Sequence, residues 1–401
     1  MAMNISALKS RDFRAYMSGN IFALNGYWIQ RITIGWLAWD LTGSAAFVGL
    51  VAFLNYAPTM FLGPFFGVFA DRVRLKPIAV LAQSSLLVSA CLLLTVYLAG
   101  WLGPELLLIF AILAGAIDAA YSPVRMSLAP RLVAKADVAS VISLAAVNFN
   151  LARLTGPALG GLMIAHWGVG AALTLQALCY LPFVLALTTL NPRPRANEAS
   201  KPEPFLMAMR EGLGHTFRTP LIRQAVLLTG INAFVVRGVL EILPVLADGV
   251  FDRGAPGLGL LTSAAGAGAL LAGLSKAFLP AQMGGRLPIH AVLTAVLGTM
   301  VVAALGLTGS WPVALGLVAL LGFVATNTGV SMQTAIQIGL ADELRGRVMS
   351  LWIMVGIGAA AIGAVVSGGM AEWIGLEGTL IFTSLAGLAM MVPVLRDVWR
   401  R

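Results

Sequence analysis

The chain has 401 residues, 59% of them hydrophobic and only 11% charged, with a formal net charge of +9 and a mean hydropathy of +0.89. Soluble domains carry about a quarter of their residues as charges, so this composition excludes a soluble enzyme or binding module and points to an integral membrane protein. The basic residues are scattered through short loops rather than gathered in one patch, which argues against nucleic acid. Cys91 and Cys179 lie inside apolar stretches, and His166, His215 and His290 are far apart. Neither a disulfide framework nor a metal site is therefore expected. No Walker loop or nucleophile elbow is present, so no enzyme and no cofactor are expected. The first apolar stretch is too long for a cleavable signal and carries Arg31 within it.

A helix needs about 20 apolar residues to cross the hydrocarbon core. In chain order, 12–39, 46–69, 77–99, 105–121, 138–165 and 170–190 meet or approach that length. After a polar stretch come 221–246, 257–279, 288–308, 311–337, 347–371 and 377–396. The expected fold class is all-α integral membrane, with twelve transmembrane helices in two six-helix, pseudo-symmetric halves, 1–190 and 221–401. The 191–220 linker opens on Asn191-Pro192-Arg193-Pro194-Arg195. It then places Phe205, Leu206, Met209, Leu213 and Phe217 at helical spacing, with Arg210 and Glu211 on other faces, as an interfacial helix would.

Lys and Arg set the orientation. With both termini in the cytoplasm, 22 of the 26 lie on the inner side, only Arg253 lies outside, and Arg31, Arg153 and Arg237 fall within spans. The expectation is a multi-pass protein of the inner (cytoplasmic) membrane, surrounded by lipid. An internal repeat supports two halves: shifting 134–173 by 207 positions overlays 341–380 and matches Gly156 with Gly363, Gly161 with Gly368 and Gly168 with Gly375.

Between the second and third spans, Asp71, Arg72, Arg74 and Lys76 crowd four charges into six residues, four positions after Gly67. This loop resembles the G-x-x-x-D-R-x-x-R-[KR] signature of the major facilitator superfamily, with the second basic pair spread as Arg74 and Lys76. The resemblance implies a secondary transporter whose cytoplasmic gate is Gly67, Asp71, Arg72 and Arg74 latched to Asp118, expected at the cytoplasmic end of span four. In span five, Gly156-Pro157-Ala158-Leu159-Gly160-Gly161 resembles the superfamily's G-P-x-x-G-G motif, common in antiporters. Pro157 frees a carbonyl and kinks the helix, and Gly156, Gly160 and Gly161 give a flat face for a partner from the other half. Phe13-Arg14, Leu41-Thr42-Gly43-Ser44-Ala45, Pro58, Pro123 and Leu344-Arg345-Gly346-Arg347 resemble the branch that includes the enterobactin exporter and macrolide-efflux proteins.

Charges at membrane depth are costly and mark function. Arg31 shares a helix face with Tyr27 and Trp28, Arg153 stands near the Pro157 kink, and Arg237 and Glu241 are spaced to pair along one helix. Asp40 and Glu241 are the acids that reach Arg31 or Arg153 if any does. Trp28, Trp36, Trp39, Tyr56 and Tyr180 offer aromatic walls, and Gln333 and Gln337 make span ten polar. The expected substrate cavity is Arg31, Arg153, Arg237, Tyr27, Trp28, Gln333 and Gln337, with Glu241 as the proton-coupling carboxylate. The leading expectation is a monomeric, gradient-driven exporter of an amphipathic small molecule, siderophore- or drug-like, with protons as co-substrate. Three arginines against one acid favour an acid-bearing substrate. Uptake or exchange of an organic anion, a lipid flippase, and a transport-dead receptor are the alternatives.

Overall fold

Inside lipid, backbone N–H and C=O groups have no partner but each other, so long apolar segments fold as helices. The computed structural model describes residues 5–70, 73–193, 205–278, 287–338, 340 and 342–399, and every regular element among them is helical. The first half holds α1 (Arg11–Thr42), α2 (Ala45–Ala70), α3 (Leu75–Leu98), α4 (Pro104–Leu128), α5 (Val138–Trp167) and α6 (Val169–Thr189). The linker helix α7 (Phe205–Arg218) follows. The second half holds α8 (Pro220–Asn232), α9 (Gly238–Glu241), α10 (Gly254–Phe278), α11 (Ile289–Leu307), α12 (Trp311–Ile338) and α13 (Asp342–Trp399). Helix α7 packs on α8 and α13, and its Glu211 forms an ion pair with Arg347 of α13.

Among the described residues, ten segments are long and apolar enough to cross a membrane. The last of them, Arg347–Asp397, has 51 residues, about 76 Å of helix at 1.5 Å per residue, which is enough for two crossings. It bends at Gly375, whose φ of 73° only glycine adopts freely. Gly168, between α5 and α6, has the matching φ of 81°. The repeat therefore places the same reversal in both halves.

The other repeat pairs carry equivalent packing. Gly156 of α5 abuts Trp28 of α1, and Gly363 of α13 abuts the Phe234 carbonyl in span seven. Gly161 of α5 meets Gly259 of α10, while Gly368 of α13 meets Ala45 of α2. Helix α5 thus packs on α1 and α10, and the first limb of α13 on span seven and α2, as a twofold axis along the membrane normal requires.

Two expected spans differ in the structure. Span four runs on to Leu128, with Pro123 inside the helix. Span seven is not one helix over 221–246. After α8 comes a π-helical turn, Ala233–Arg237, then α9, a break at Ile242 and a second π turn, Val245–Val250. Pro244 has no N–H for the Leu240 carbonyl, which accounts for the break. Inserted π turns rotate the side chains beyond them, and such turns recur at functional sites.

Both ends of the molecule can be named by their loops. The linker face carries Ser6–Lys9, Val73–Arg74, Ala129–Asp137 and α7. The opposite face carries Gly43–Ser44, Gly100–Gly103, Gly168, Phe251–Arg253 and Gly375.

Candidate functional site

The two halves meet at mid-bundle through one polar knot. The Arg31 guanidinium of α1 pairs with the Glu241 carboxylate at the end of α9. The same Arg31 Nη2 donates to the Tyr56 hydroxyl at 2.5 Å, and that hydroxyl donates to Glu241 Oε1 at 2.8 Å. The Arg31 guanidinium also lies 4.7 Å from the Tyr56 ring centroid. Each polar group thus has a charged or hydroxyl partner, the condition for keeping charges at this depth. Arg237, four residues before Glu241, does not pair with it along the helix as expected. The broken geometry of span seven delivers Glu241 to the other half instead, and Arg237 stands exposed with no ion pair among the described residues.

The Arg31–Glu241 pair is the wall between two cavities. One, of about 620 Å³ including its open side, is lined by Tyr27, Gln30, Asn55, Leu86 and Asp118 together with the pair. The other, about 370 Å³, lies at the seam between Trp28, Ile32, Leu240, Pro244, Leu258 and Thr262, again with the pair. Tyr27 and Trp28, adjacent in sequence, therefore serve different cavities. Arg153 sits 5.7 Å from the Trp28 ring centroid, while Arg31 sits 5.9 Å from it. Arg153 makes no hydrogen bond or ion pair with the described residues, and Arg237 is close enough to repel it. The indole N–H of Trp28 is buried without an acceptor. Beside the seam, then, the buried Trp28 N–H lacks an acceptor and the Arg153 guanidinium has no hydrogen-bond partner among the described residues, with the exposed Arg237 near it.

The transmembrane secretion effector model of the major facilitator superfamily matches residues 2–398. The chain belongs to this family. It is 28% identical over 397 residues to the multidrug efflux pump Tap of Mycobacterium tuberculosis, covering 94% of this chain and 92% of the relative. It is 25% identical over 382 residues to the enterobactin exporter EntS of Shigella boydii, covering 92% and 87%. Its fold matches a bacterial homolog of the human lysosomal transporter Spinster, solved inward-facing and unoccupied, at a TM-score of 0.72, 18% identity and 98% coverage of both chains.

Asp118 is not at the end of span four. Ten residues of α4 lie beyond it, about 15 Å or half the hydrocarbon thickness, and it lines a cavity with mid-helix Asn55 and Leu86. Among the described residues, the cations that act on it are Arg125 and Arg31. Mid-bundle charge is therefore three arginines against two acids. Of the remaining gate residues, Asp71 and Arg72 lie outside the described residues, Gly67 closes the last turns of α2, and Arg74 is exposed at the start of α3.

Of the expected cavity residues, Arg31, Tyr27 and Trp28 line these two cavities, whereas Arg153, Arg237, Gln333 and Gln337 line neither. Asn327 and Ser331 of α12, the helix that carries both glutamines, turn inward within the second half. Asn327 donates to Thr294 at 3.0 Å, and Ser331 accepts from Lys276 at 2.6 Å. Polarity alone does not say which way a helix face points. The glycine motif also divides its work. Gly161 faces α10 across the seam, but Gly156 and Gly160 receive Trp28 and Ile32 of their own half. The seam is completed by Ser263 of α10, which donates to the Leu154 carbonyl at 3.1 Å. Gly266 packs on the Arg153 carbonyl, the one that Pro157 leaves without its helical N–H.

At the opposite face two acids of the second half join it to the first. Trp39 Nε1 donates to Asp248 at 2.8 Å. Glu372 of α13 accepts from the Ser44 hydroxyl at 2.8 Å and the Ala46 N–H at 3.2 Å, so it caps the N-terminus of α2 from outside. Those two donors hold the Glu372 carboxyl below its ordinary range. Sequence reasoning missed Glu372 and Asp248 because their partners lie more than 200 positions away. Tyr56 was legible only as an aromatic wall, whereas its hydroxyl is what the knot uses.

Proposed function

We propose that this protein is a gradient-driven secondary transporter that exports an amphipathic, acid-bearing small molecule, siderophore- or drug-like, by alternating access. The chain sits in the inner membrane with the linker face in the cytoplasm, the side that collects 22 of 26 basic residues. The opposite face, tied by Glu372 and Asp248, is then the outer one. The efflux activities named for Tap and EntS support the direction. Proton coupling falls to Glu241, whose charge fixes Arg31 at the seam. Neutralising that charge removes the anchor, so a proton gradient has a lever on the equilibrium between the two seam geometries.

The observation that carries the substrate reading is Arg153 beside Arg237 and the unpartnered Trp28 N–H. Neither guanidinium can shed its charge at neutral pH. A carboxylate, sulfonate or catecholate seated there would satisfy donors that the protein leaves open, while the apolar seam receives the rest of the molecule. Proteoliposome transport of rhodamine B and of its ethyl ester tests this, because the two differ in one carboxylate. Wild type is expected to prefer the acid and Arg153→Gln to lose the preference. Indifference of wild type to esterification would refute acid recognition, and an undiminished preference in R153Q would move it off Arg153.

A further inference from the structure

We infer that Arg31 is shared between two carboxylates, Glu241 across the seam and Asp118 inside the first half, and passes from one to the other as the halves rock. The inference rests on the proton-coupled reading above and gives it a second acid.

Both ends of such an exchange are present. Arg31 spends one nitrogen, Nη2, on Tyr56 and Glu241. A guanidinium has five N–H donors, and beyond Nη2 the one side chain that draws on them among the described residues is Tyr27, which is neutral and one turn away on its own helix. Asp118 lines the same cavity as Arg31 and likewise makes no hydrogen bond or ion pair among the described residues. A carboxylate left alone at this depth is expensive unless water, a proton or a cation reaches it. Asp118 feels two cations, Arg125 and Arg31. Arg125 lines neither cavity and lies over the Phe149 ring. Arg31 is therefore the cation that shares a cavity with Asp118.

The surrounding groups leave the two acids as the titrating pair. Tyr27 of α1, Tyr121 of α4 and Tyr180 of α6 face Asp118. Tyr56 of α2, Arg153 of α5 and Arg237 of span seven face the Glu241 side. From α3 the cavity wall is the apolar Leu86. Tyrosines stay neutral and arginines charged near neutral pH.

The exchange balances in charge. One proton binds Glu241, whose hydrogen bond with Tyr56 survives protonation. Arg31 loses its anionic anchor in the second half and turns to Asp118, which belongs to its own half. The seam can then open without exposing an unpaired guanidinium. When Arg31 returns, the proton leaves Glu241, so one proton moves per cycle. Arg31 thus makes the protonation of one half the unlocking of the other.

The test reads seam geometry, not transport, and needs no substrate. Spin labels at Lys135→Cys and Arg396→Cys, exposed sites on the linker face in opposite halves, report distance distributions in a Cys91→Ser background. E241Q is expected to enrich the second distance population about tenfold, a usual size for coupling between sites. D118N added to E241Q is expected to erase that enrichment, because Arg31 then has no second acid. Identical distributions for E241Q and E241Q/D118N would overturn the sharing of Arg31. If D118N does not fold, E241Q/D118E takes its place: the enriched population must persist there, and reversion to the wild-type distribution overturns the proposal. The proton reading is judged separately by titrating wild type. A pH-independent wild type with a responsive E241Q/D118N comparison sinks proton coupling but keeps the shared arginine, and the converse result does the opposite.

Discussion

Arg31 and Glu241 are 210 positions apart and meet at the seam of two halves, with the Tyr56 hydroxyl bonded to both. Neither residue has a charged partner within its own helix. The pair is therefore a property of the assembled bundle, and its energetics report how the halves fit together.

Removing one member should hurt more than removing both. Arg31→Gln leaves Glu241 uncompensated, and Glu241→Gln leaves Arg31 so. Each is expected to destabilise by about 2 kcal/mol, less than for a fully buried pair because both side chains keep 18% exposure. The double variant should cost less than the sum, by about 1 kcal/mol or more. Thermal unfolding of the four detergent-solubilised proteins measures this. Additive losses would mean that the contact contributes nothing.

The seam glycines separate packing from flexibility. A side chain at Gly161 would begin 2.8 Å from the Gly259 backbone, where nothing can yield. Gly161→Leu is expected to abolish transport while the protein still inserts. At Gly273 nothing lies within 4 Å, so Gly273→Ala should be neutral or stabilise by roughly 0.5 kcal/mol through helix propensity. Flow cytometry of a fluorescent-tagged fusion scores insertion, and vesicle efflux scores turnover. A fully active G161L would break the close-approach argument.

Glu372 gives the contact at the face opposite the linker a pH dependence of known sign. Its carboxyl titrates below the ordinary value in the folded protein. The contact therefore stabilises at pH above the unfolded value of about 4.3 and fades as pH falls through the lower folded value. Solvent exposure keeps the effect small. Unfolding curves of wild type and Glu372→Gln should differ near neutrality and converge in acid. Curves that diverge on acidification would contradict the assignment.

Asp71→Asn is expected to cripple turnover without affecting insertion. The motive is the loop signature alone, since Asp71 lies outside the described residues. If the latch acts at the linker face, the substitution shifts the resting state rather than the fold. Normal turnover by D71N in vesicles would remove the latch.

The sequence by itself determined the solvent in which this chain folds, the helical class, the two halves and the reversals at Gly168 and Gly375. These follow from apolar run length, basic-residue asymmetry and a repeat, all of which are local or periodic and survive without a partner. It also named Arg31, Arg153, Arg237 and Glu241, because charge inside an apolar run is visible in one dimension. What it could not assign was who faces whom. Helical spacing offered Glu241 to Arg237, but the π turns and Pro244 rotate span seven and send Glu241 to Arg31. The length of α4 moved Asp118 from a surface latch to mid-bundle. On α12, Gln333 and Gln337, read as cavity lining, line neither cavity, while Asn327 and Ser331 bond to Thr294 and Lys276 of their own half. Each of these depends on helix rotation and depth, which packing between distant segments sets and hydropathy along the chain does not encode.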